Sequence, residues 1–115
     1  MDPGRLSETA LAIWQDPRKL IAVSVVSYWE VAIKASKRVF RIDDVAMWWA
    51  RRVLPFSDLE TLPIREEHVR ELIRLPEIHK DPFDRMSIAQ ARVEDMSLVT
   101  CDAHIRSYPA VRVVW

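Results

Sequence analysis

Three short runs of β-branched and other apolar residues constrain the fold of this chain more than any other feature of its sequence. The runs are KLIAVSVVS at 19–27, SLVTC at 97–101 and VRVVW at 111–115. Nearly continuous apolar runs of this length are typical of strands buried on both faces of a parallel sheet. Stretches with helical spacing separate the runs. This alternation predicts an α/β domain of three layers, with a central, mainly parallel sheet flanked by helices.

Residues that favour a helix N-terminus precede several of the predicted helices. Ser7 can cap a short first helix, and Ser27 and Glu30 have the spacing of a capping box after the first strand. Asp81 is a natural N-cap for a helix that begins at Pro82.

A further helix is predicted over 65–75. Its spacing places Val69, Leu72 and Ile73 on one side. His68 has no second ligand-forming side chain at a useful spacing, so we interpret it as a surface or loop residue.

Composition limits both the size and the function of the protein. A chain of 115 residues supports one hydrophobic core, so we expect a single domain over 1–115. Its 17 basic and 17 acidic residues balance, which argues against a polybasic nucleic-acid binder. The single glycine excludes glycine-rich nucleotide-binding loops, and no stretch is apolar enough to span a membrane. One cysteine excludes an internal disulfide and fits a reducing, cytoplasmic location.

Three acidic residues lie at or just beyond predicted strand ends. Glu30 follows the first strand by one helical turn, Asp102 directly follows SLVTC, and Asp84 lies in the first turn of the helix that begins at Pro82. Ligands of open α/β sheets bind outside the carboxyl ends of the strands, so these side chains can converge there. Clustered carboxylates repel one another unless a cation lies between them, and hard oxygen ligands select Mg²⁺ or Mn²⁺. Such a site suits hydrolysis of a phosphodiester bond.

Each acid also has a purely structural explanation. Glu30 fits the capping box with Ser27 and an i,i+4 pair with Lys34. Asp84 is favoured near a helix N-terminus by the helix dipole, and Asp102 can be a turn residue bonded to its own backbone. Spacing alone leaves both interpretations open.

Longer motifs resemble those of a known family. The segment from LPEIHKDPFDR to the C-terminal VRVVW is similar to the C-terminal half of VapC-type toxins of the PIN-domain family. VSVVSYWEVAIK resembles the family's second strand and the helix after it, and DPGRLSETAL resembles its DP-x-x-L-S stretch. The succession of DPFDR, IAQA and T-x-D is specific, and the likeness runs from about residue 2 to residue 115.

The resemblance implies an α/β nuclease that cuts RNA with Mg²⁺ or Mn²⁺ and is held inactive by a VapB-type antitoxin. Carried over to this chain, Glu30, Asp84 and Asp102 take the positions of three of the family's four catalytic, metal-binding acids. Asp81 belongs to the same motif, as a helix cap that can also support the metal ligands. The family also suggests a homodimer.

One part of the family pattern has no counterpart in the sequence. The family opens with a short strand that ends in an Asp before DP-x-x-L-S, whereas Met1 is followed directly by Asp2 and Pro3. We therefore expect the first strand and its Asp to be missing, and metal binding to be weaker with one carboxylate fewer. The alternative to an active ribonuclease is an impaired module that binds the antitoxin without cleaving RNA.

Further residues are candidates for supporting roles. Arg85 and Lys34 can contact RNA phosphates beside the metal, although Lys34 also suits a pair with Glu30. Thr100 can hydrogen-bond a site carboxylate or a water. Trp48 and Trp49 can lie at the edge of the core or form a contact patch for an antitoxin helix.

Overall fold

The structure, a computed structural model, describes residues 7–36, 59–78, 80–100, 105–109 and 111–115. These residues form four α-helices, four short strands and one 3₁₀ turn. In chain order they are α1 (Glu8–Gln15), β1 (Ala22–Ser24), α2 (Val25–Ser36), β2 (Glu60–Leu62), α3 (Glu66–Arg74), α4 (Pro82–Val93), β3 (Leu98–Val99), the 3₁₀ turn (Ile105–Ser107) and β4 (Val113–Val114). The predicted α/β class is confirmed. The tryptophan pair at 48–49 lies outside the described residues.

The chain divides into two compact units. The larger unit comprises residues 1–20 and 64–115, and the smaller one residues 21–63. In the smaller unit β1 pairs with β2, with Ala22 opposite Glu60. In the larger unit β3 pairs with β4, with Leu98 opposite Val113. Both pairs are parallel, as predicted for the sheet. Strands β1, β3 and β4 lie within the three predicted runs, whereas β2 lies outside them. The expectation of one domain over 1–115 stays a prediction.

The core of the larger unit forms where α4, the 3₁₀ turn and the parallel strands pack together. Ile88 and Ala89 of α4 are fully buried there, and the strand residues Leu98 and Val113 pack against them. The other members of this core are Leu72, Leu75, Ile105, Tyr108 and Val111. The buried residues of α4 lie in its second half, at 88–91, so this half of the helix is the part that belongs to the core.

The beginning of α2 differs from the sequence-based expectation. The strand β1 has three residues, and the helix already begins at Val25. The Ser24 hydroxyl accepts a hydrogen bond from the Val26 N–H at 3.1 Å, and Val26 is buried. The prediction that Ser27 caps this helix is wrong, because Ser24 supplies the capping oxygen and Ser27 lies inside the helix. Glu30 is therefore the sixth residue of α2 and not its N3 residue.

Two polar residues, His68 of α3 and Gln90 of α4, are buried between these two helices. His68 is fully buried: its Nδ1 accepts from the Arg65 N–H at 2.9 Å, and its Nε2 lies 2.8 Å from Glu94 Oε1. The buried Gln90 amide nitrogen lies 3.5 Å from the same Nδ1. The interpretation of His68 as a surface or loop residue is wrong, because the residue is fully buried and the Arg65 N–H and the Glu94 carboxylate satisfy its two ring nitrogens.

A buried carboxylate lies one turn further along α3. Glu71 is 8% exposed and lies 3.1 Å from Arg92 of α4 and 3.4 Å from Arg74. Two guanidinium groups thus compensate the desolvation of this charge. Val69 and Ile73 are exposed, so of the apolar residues spaced along α3 only Leu72 packs against the core.

Helix α4 ends in a Schellman motif with an aspartate where glycine is usual. The Met96 N–H donates to the Ala91 carbonyl at 2.9 Å, and the Asp95 N–H donates to the Arg92 carbonyl at 3.3 Å. Asp95 has a φ of 52°, in the left-handed region. A residue with a Cβ adopts that region at a cost of about 1 kcal/mol, whereas glycine adopts it freely.

Replacing Asp95 with glycine is expected to raise the free energy of unfolding by about 0.5 kcal/mol, after allowing for the greater entropy of glycine in the unfolded chain. Chemical denaturation measures the change. Asp95→Ala serves as the control, because it removes the exposed ion pair with Arg112 but keeps the Cβ. If the free energy of unfolding of Asp95→Gly is no higher than that of Asp95→Ala, the left-handed conformation of Asp95 is not a cost to stability.

Candidate active site

The candidate site is built around the start of α4. Asp81 is the N-cap of this helix, and Pro82 occupies its first position. The Asp81 Oδ1 accepts the N–H groups of Phe83 at 2.9 Å and of Asp84 at 3.3 Å. These bonds satisfy two of the helix N–H groups that have no partner within the helix. The predicted capping role of Asp81 is confirmed.

Asp84 lies three residues after the cap, in the first turn of α4. One of its carboxylate oxygens lies within 4.8 Å of a carboxylate oxygen of Asp81, and both residues are half-buried. Two like charges at this distance repel each other, while the positive end of the helix partly offsets the repulsion. The arrangement concentrates negative charge at one place on the larger unit, where a cation would be stabilised.

Arg85 connects the start of α4 with the end of α3. Its guanidinium donates to the Pro76 carbonyl at 3.0 Å through Nη1 and to the Leu72 carbonyl at 3.2 Å through Nη2. Carbonyls at and beyond the end of a helix have no partner within the helix, so a cation there is favourable. These bonds give Arg85 a structural role beside Asp84, and its contact with RNA stays a prediction.

Thr100 lies at the carboxyl end of β3. Its N–H donates to the Val114 carbonyl at 3.1 Å, which extends the pairing of β3 with β4, and its side chain is half-buried. Only residues 94–97 connect α4 to β3, and the two elements pack against each other. Asp102, which follows in the sequence, lies outside the described residues.

Glu30 belongs to the smaller unit. It is half-buried on α2, and the side chain of Lys34, one turn further along the helix, lies outside the described part of the chain. The pairing of these two residues, and the convergence of Glu30 with the other acids, stay predictions.

The closeness of Asp81 and Asp84 agrees with the predicted role of Asp81 in supporting the metal ligands, and the sequence also carries a local signal for it. The two residues are separated by three positions across a helix start, and residues at this spacing lie on the same side of a helix. An acid at the N-cap followed by an acid at N3 therefore predicts that the two carboxylates lie close together.

The PIN-domain family model matches residues 2–111, so the chain belongs to the PIN-domain family. PIN domains are typically metal-dependent nucleases, which agrees with an acidic site and with the α/β fold. A search of curated proteins found no match to the chain. Among the described residues, no helix is both long enough and apolar enough to cross a membrane.

Proposed function

We propose that this protein is the toxin of a type II toxin–antitoxin system: a VapC-type endoribonuclease that hydrolyses RNA phosphodiester bonds with Mg²⁺ or Mn²⁺. The observation that carries the proposal is the pair of carboxylates at the start of α4, in a chain that belongs to the PIN-domain family. The catalytic and metal-binding residues of the proposal are Glu30, Asp84 and Asp102.

The chemistry of the side chains at the start of α4 suits a hard divalent cation. Asp81 and Asp84 both offer carboxylate oxygens, the ligands that Mg²⁺ and Mn²⁺ prefer. Because Asp81 Oδ1 already accepts two backbone N–H groups, its role in the proposal is to hold the helix start and to support Asp84. Asp84 is the direct ligand.

Asp102 enters the set through the T-x-D motif at residues 100–102. Strand β3, which ends just before Thr100, packs against α4. Thr100 in the proposal hydrogen-bonds a site carboxylate or a water. Glu30 enters the set through the family motif in VSVVSYWEVAIK.

A bound divalent ion supplies activation of a water and neutralisation of the charge that develops on the attacked phosphate. The carboxylates of this chain hold the ion and set its position. Arg85 has further N–H donors besides the two that bond carbonyls, and these contact an RNA phosphate in the proposal. Lys34 takes the same role on α2.

The partners of the proposal are the RNA substrate and a VapB-type antitoxin, which covers the toxin until it is released. A homodimer and a cytoplasmic location accompany this assignment. The two partners follow from the family type, because PIN-domain toxins commonly pair with antitoxins and bind RNA.

The proposal is tested by incubating the purified chain with a pool of structured RNA in Mn²⁺, Mg²⁺ or EDTA. Fragments are expected with either metal and not with EDTA, and the antitoxin encoded beside its gene is expected to suppress them. Cleavage that persists in EDTA would contradict the metal-dependent mechanism. Binding of the antitoxin without cleavage in any metal would instead favour the impaired module.

A further inference from the structure

Arg85 joins the beginning of α4 to the end of α3, and in the sequence it directly follows Asp84. Its Nη1 donates to the Pro76 carbonyl at 3.0 Å, and its Nη2 donates to the Leu72 carbonyl at 3.2 Å. Leu72 lies in the last turn of α3, and Pro76 lies in the connection between the two helices. One side chain of α4 therefore holds both the end of α3 and the connection that leads to Asp81.

This connection is fixed differently at its two ends. Leu75, the C-cap of α3, is 5% exposed and belongs to the core of the larger unit. At the other end, the backbone carbonyl of the N-cap Asp81 accepts the Arg85 N–H at 3.0 Å. Residues 83–87 of α4 are half-buried, whereas 88–91 are buried. The first turn of α4 therefore depends more on its own hydrogen bonds than the second half of the helix does.

The positive charge of Arg85 is compensated at the end of α3. A cation close to a metal site would oppose metal binding, because like charges repel. The two bonds direct the guanidinium to the end of α3, where backbone carbonyls carry the negative end of the helix dipole. Arginine suits this place, since its planar fork can donate to two acceptors at once. A cation can thus brace the start of α4 while its charge is taken up by carbonyls.

We propose that Arg85 is a positioning residue of the metal site, which holds the carboxylates of Asp81 and Asp84 in place for Mg²⁺ or Mn²⁺ by joining α4 to the end of α3. The helix start sets the separation of the two carboxylates, and Arg85 sets the place of the pair on the larger unit. This role is separate from a contact of its remaining N–H donors with RNA. The inference rests on the proposed function, because it concerns the same metal site.

The first test is calorimetric titration of the full chain with Mn²⁺ in the absence of RNA. Arg85→Met keeps an unbranched apolar stem and removes both the donors and the charge. It is expected to weaken Mn²⁺ binding about 10-fold, as is typical when a group that orients a metal ligand is lost. Loss of a nearby positive charge would by itself strengthen Mn²⁺ binding, so the direction of the change separates positioning from charge. Unchanged or tighter binding would overturn the inference.

Two matched variants accompany this measurement. Arg70→Ala removes another guanidinium of the larger unit, one that pairs with the exposed Glu66, and should leave Mn²⁺ binding unchanged. Arg85→Lys keeps the charge and can still donate to a carbonyl, so it should recover part of the affinity lost in Arg85→Met. No recovery in Arg85→Lys, or an equal loss in Arg70→Ala, would overturn the inference.

RNA cleavage and Asp84→Asn separate this inference from its neighbours. If Arg85 serves only to contact RNA, Arg85→Met raises the KM for RNA and leaves Mn²⁺ binding unchanged, which overturns the positioning role. If Asp84→Asn binds Mn²⁺ as tightly as the wild type does, the proposed metal site itself fails. Weakened binding in Asp84→Asn beside full binding in Arg85→Met would sink the positioning role alone.

Hydrogen exchange in the metal-free protein tests the position of the helix start directly. The N–H groups of Phe83 and Asp84 both bond the Asp81 carboxylate. In Arg85→Met these N–H groups are expected to exchange several-fold faster, while those of 88–91 exchange as in the wild type. Unchanged exchange at the helix start would overturn the inference. Equal acceleration at 88–91 would also overturn it, because it would show a general loss of stability.

Discussion

Asp84→Asn is expected to lower RNA cleavage at least ~100-fold in Mg²⁺ or Mn²⁺, because a metal ion contributes several kcal/mol of transition-state stabilisation and depends on carboxylate charge. The substitution keeps the size and shape of the side chain. Asp84 lies in the first turn of α4, so the loss of its charge costs the helix only about 0.3–1 kcal/mol. The variant should therefore fold, and its defect should lie in metal binding and catalysis.

Two comparisons isolate the role of Asp84. Glu77→Gln neutralises an exposed carboxylate in the loop before α4 and should leave cleavage unchanged. Asp81→Asn keeps a good N-cap, because asparagine caps helices about as well as aspartate, and removes only the charge beside Asp84. We expect it to reduce cleavage less than Asp84→Asn does. Calorimetric titration with Mn²⁺ should show the same order, and full activity of Asp84→Asn would rule out Asp84 as a metal ligand.

The local parts of this fold could be predicted from the sequence because their causes are local. Asp81 caps α4 through N–H groups two and three residues away, so the signal lies within one short window. The first strand was predicted too long for a different reason. Val25 and Val26 favour a strand by propensity, but capping by Ser24 and burial of Val26 place both in a helix. Tertiary contacts override a preference of this size.

The burial of α3 could not be predicted from spacing. Apolar periodicity draws attention to Val69 and Ile73, whereas the structure buries His68, with Glu94 bonded to its Nε2 and Gln90 beside its Nδ1. Those partners lie 22 and 26 residues further along the chain. No short window of sequence contains both sides of such an interaction.

The candidate site also has a part that local sequence predicts and a part that it does not. The proximity of Asp81 and Asp84 follows from a helix start, which is a local feature. The approach of Glu30 and Asp102 depends on how distant segments come together, which spacing does not determine. The family motif, and not the periodicity of the chain, is what assigns those two residues to the site.

His68→Ala is expected to lower the free energy of unfolding by about 3 kcal/mol, among the largest effects of any substitution in the larger unit. The residue is fully buried, so its removal leaves a cavity between α3 and α4. It also leaves the Glu94 carboxylate and the Arg65 N–H without the ring that bonds them. Thermal unfolding should show a fall of roughly 10 °C in Tm. Glu67→Ala, at an exposed position of the same helix, should change stability by less than about 0.5 kcal/mol.

Two further variants test separately the hydrogen bonds made by the two ring nitrogens of His68. The Arg65 N–H can only donate, so Nδ1 of His68 is an acceptor and the ring proton lies on Nε2, which donates to Glu94. His68→Asn keeps an acceptor near Nδ1 and loses the Glu94 bond, whereas His68→Gln keeps a donor near Nε2 and loses the cap. Each should be less destabilising than His68→Ala. Adding Glu94→Ala should then cost little in His68→Asn but more in His68→Gln, because only His68→Gln still donates to that carboxylate. Equal costs in both backgrounds would show that Glu94 stabilises the helix pair independently of the histidine.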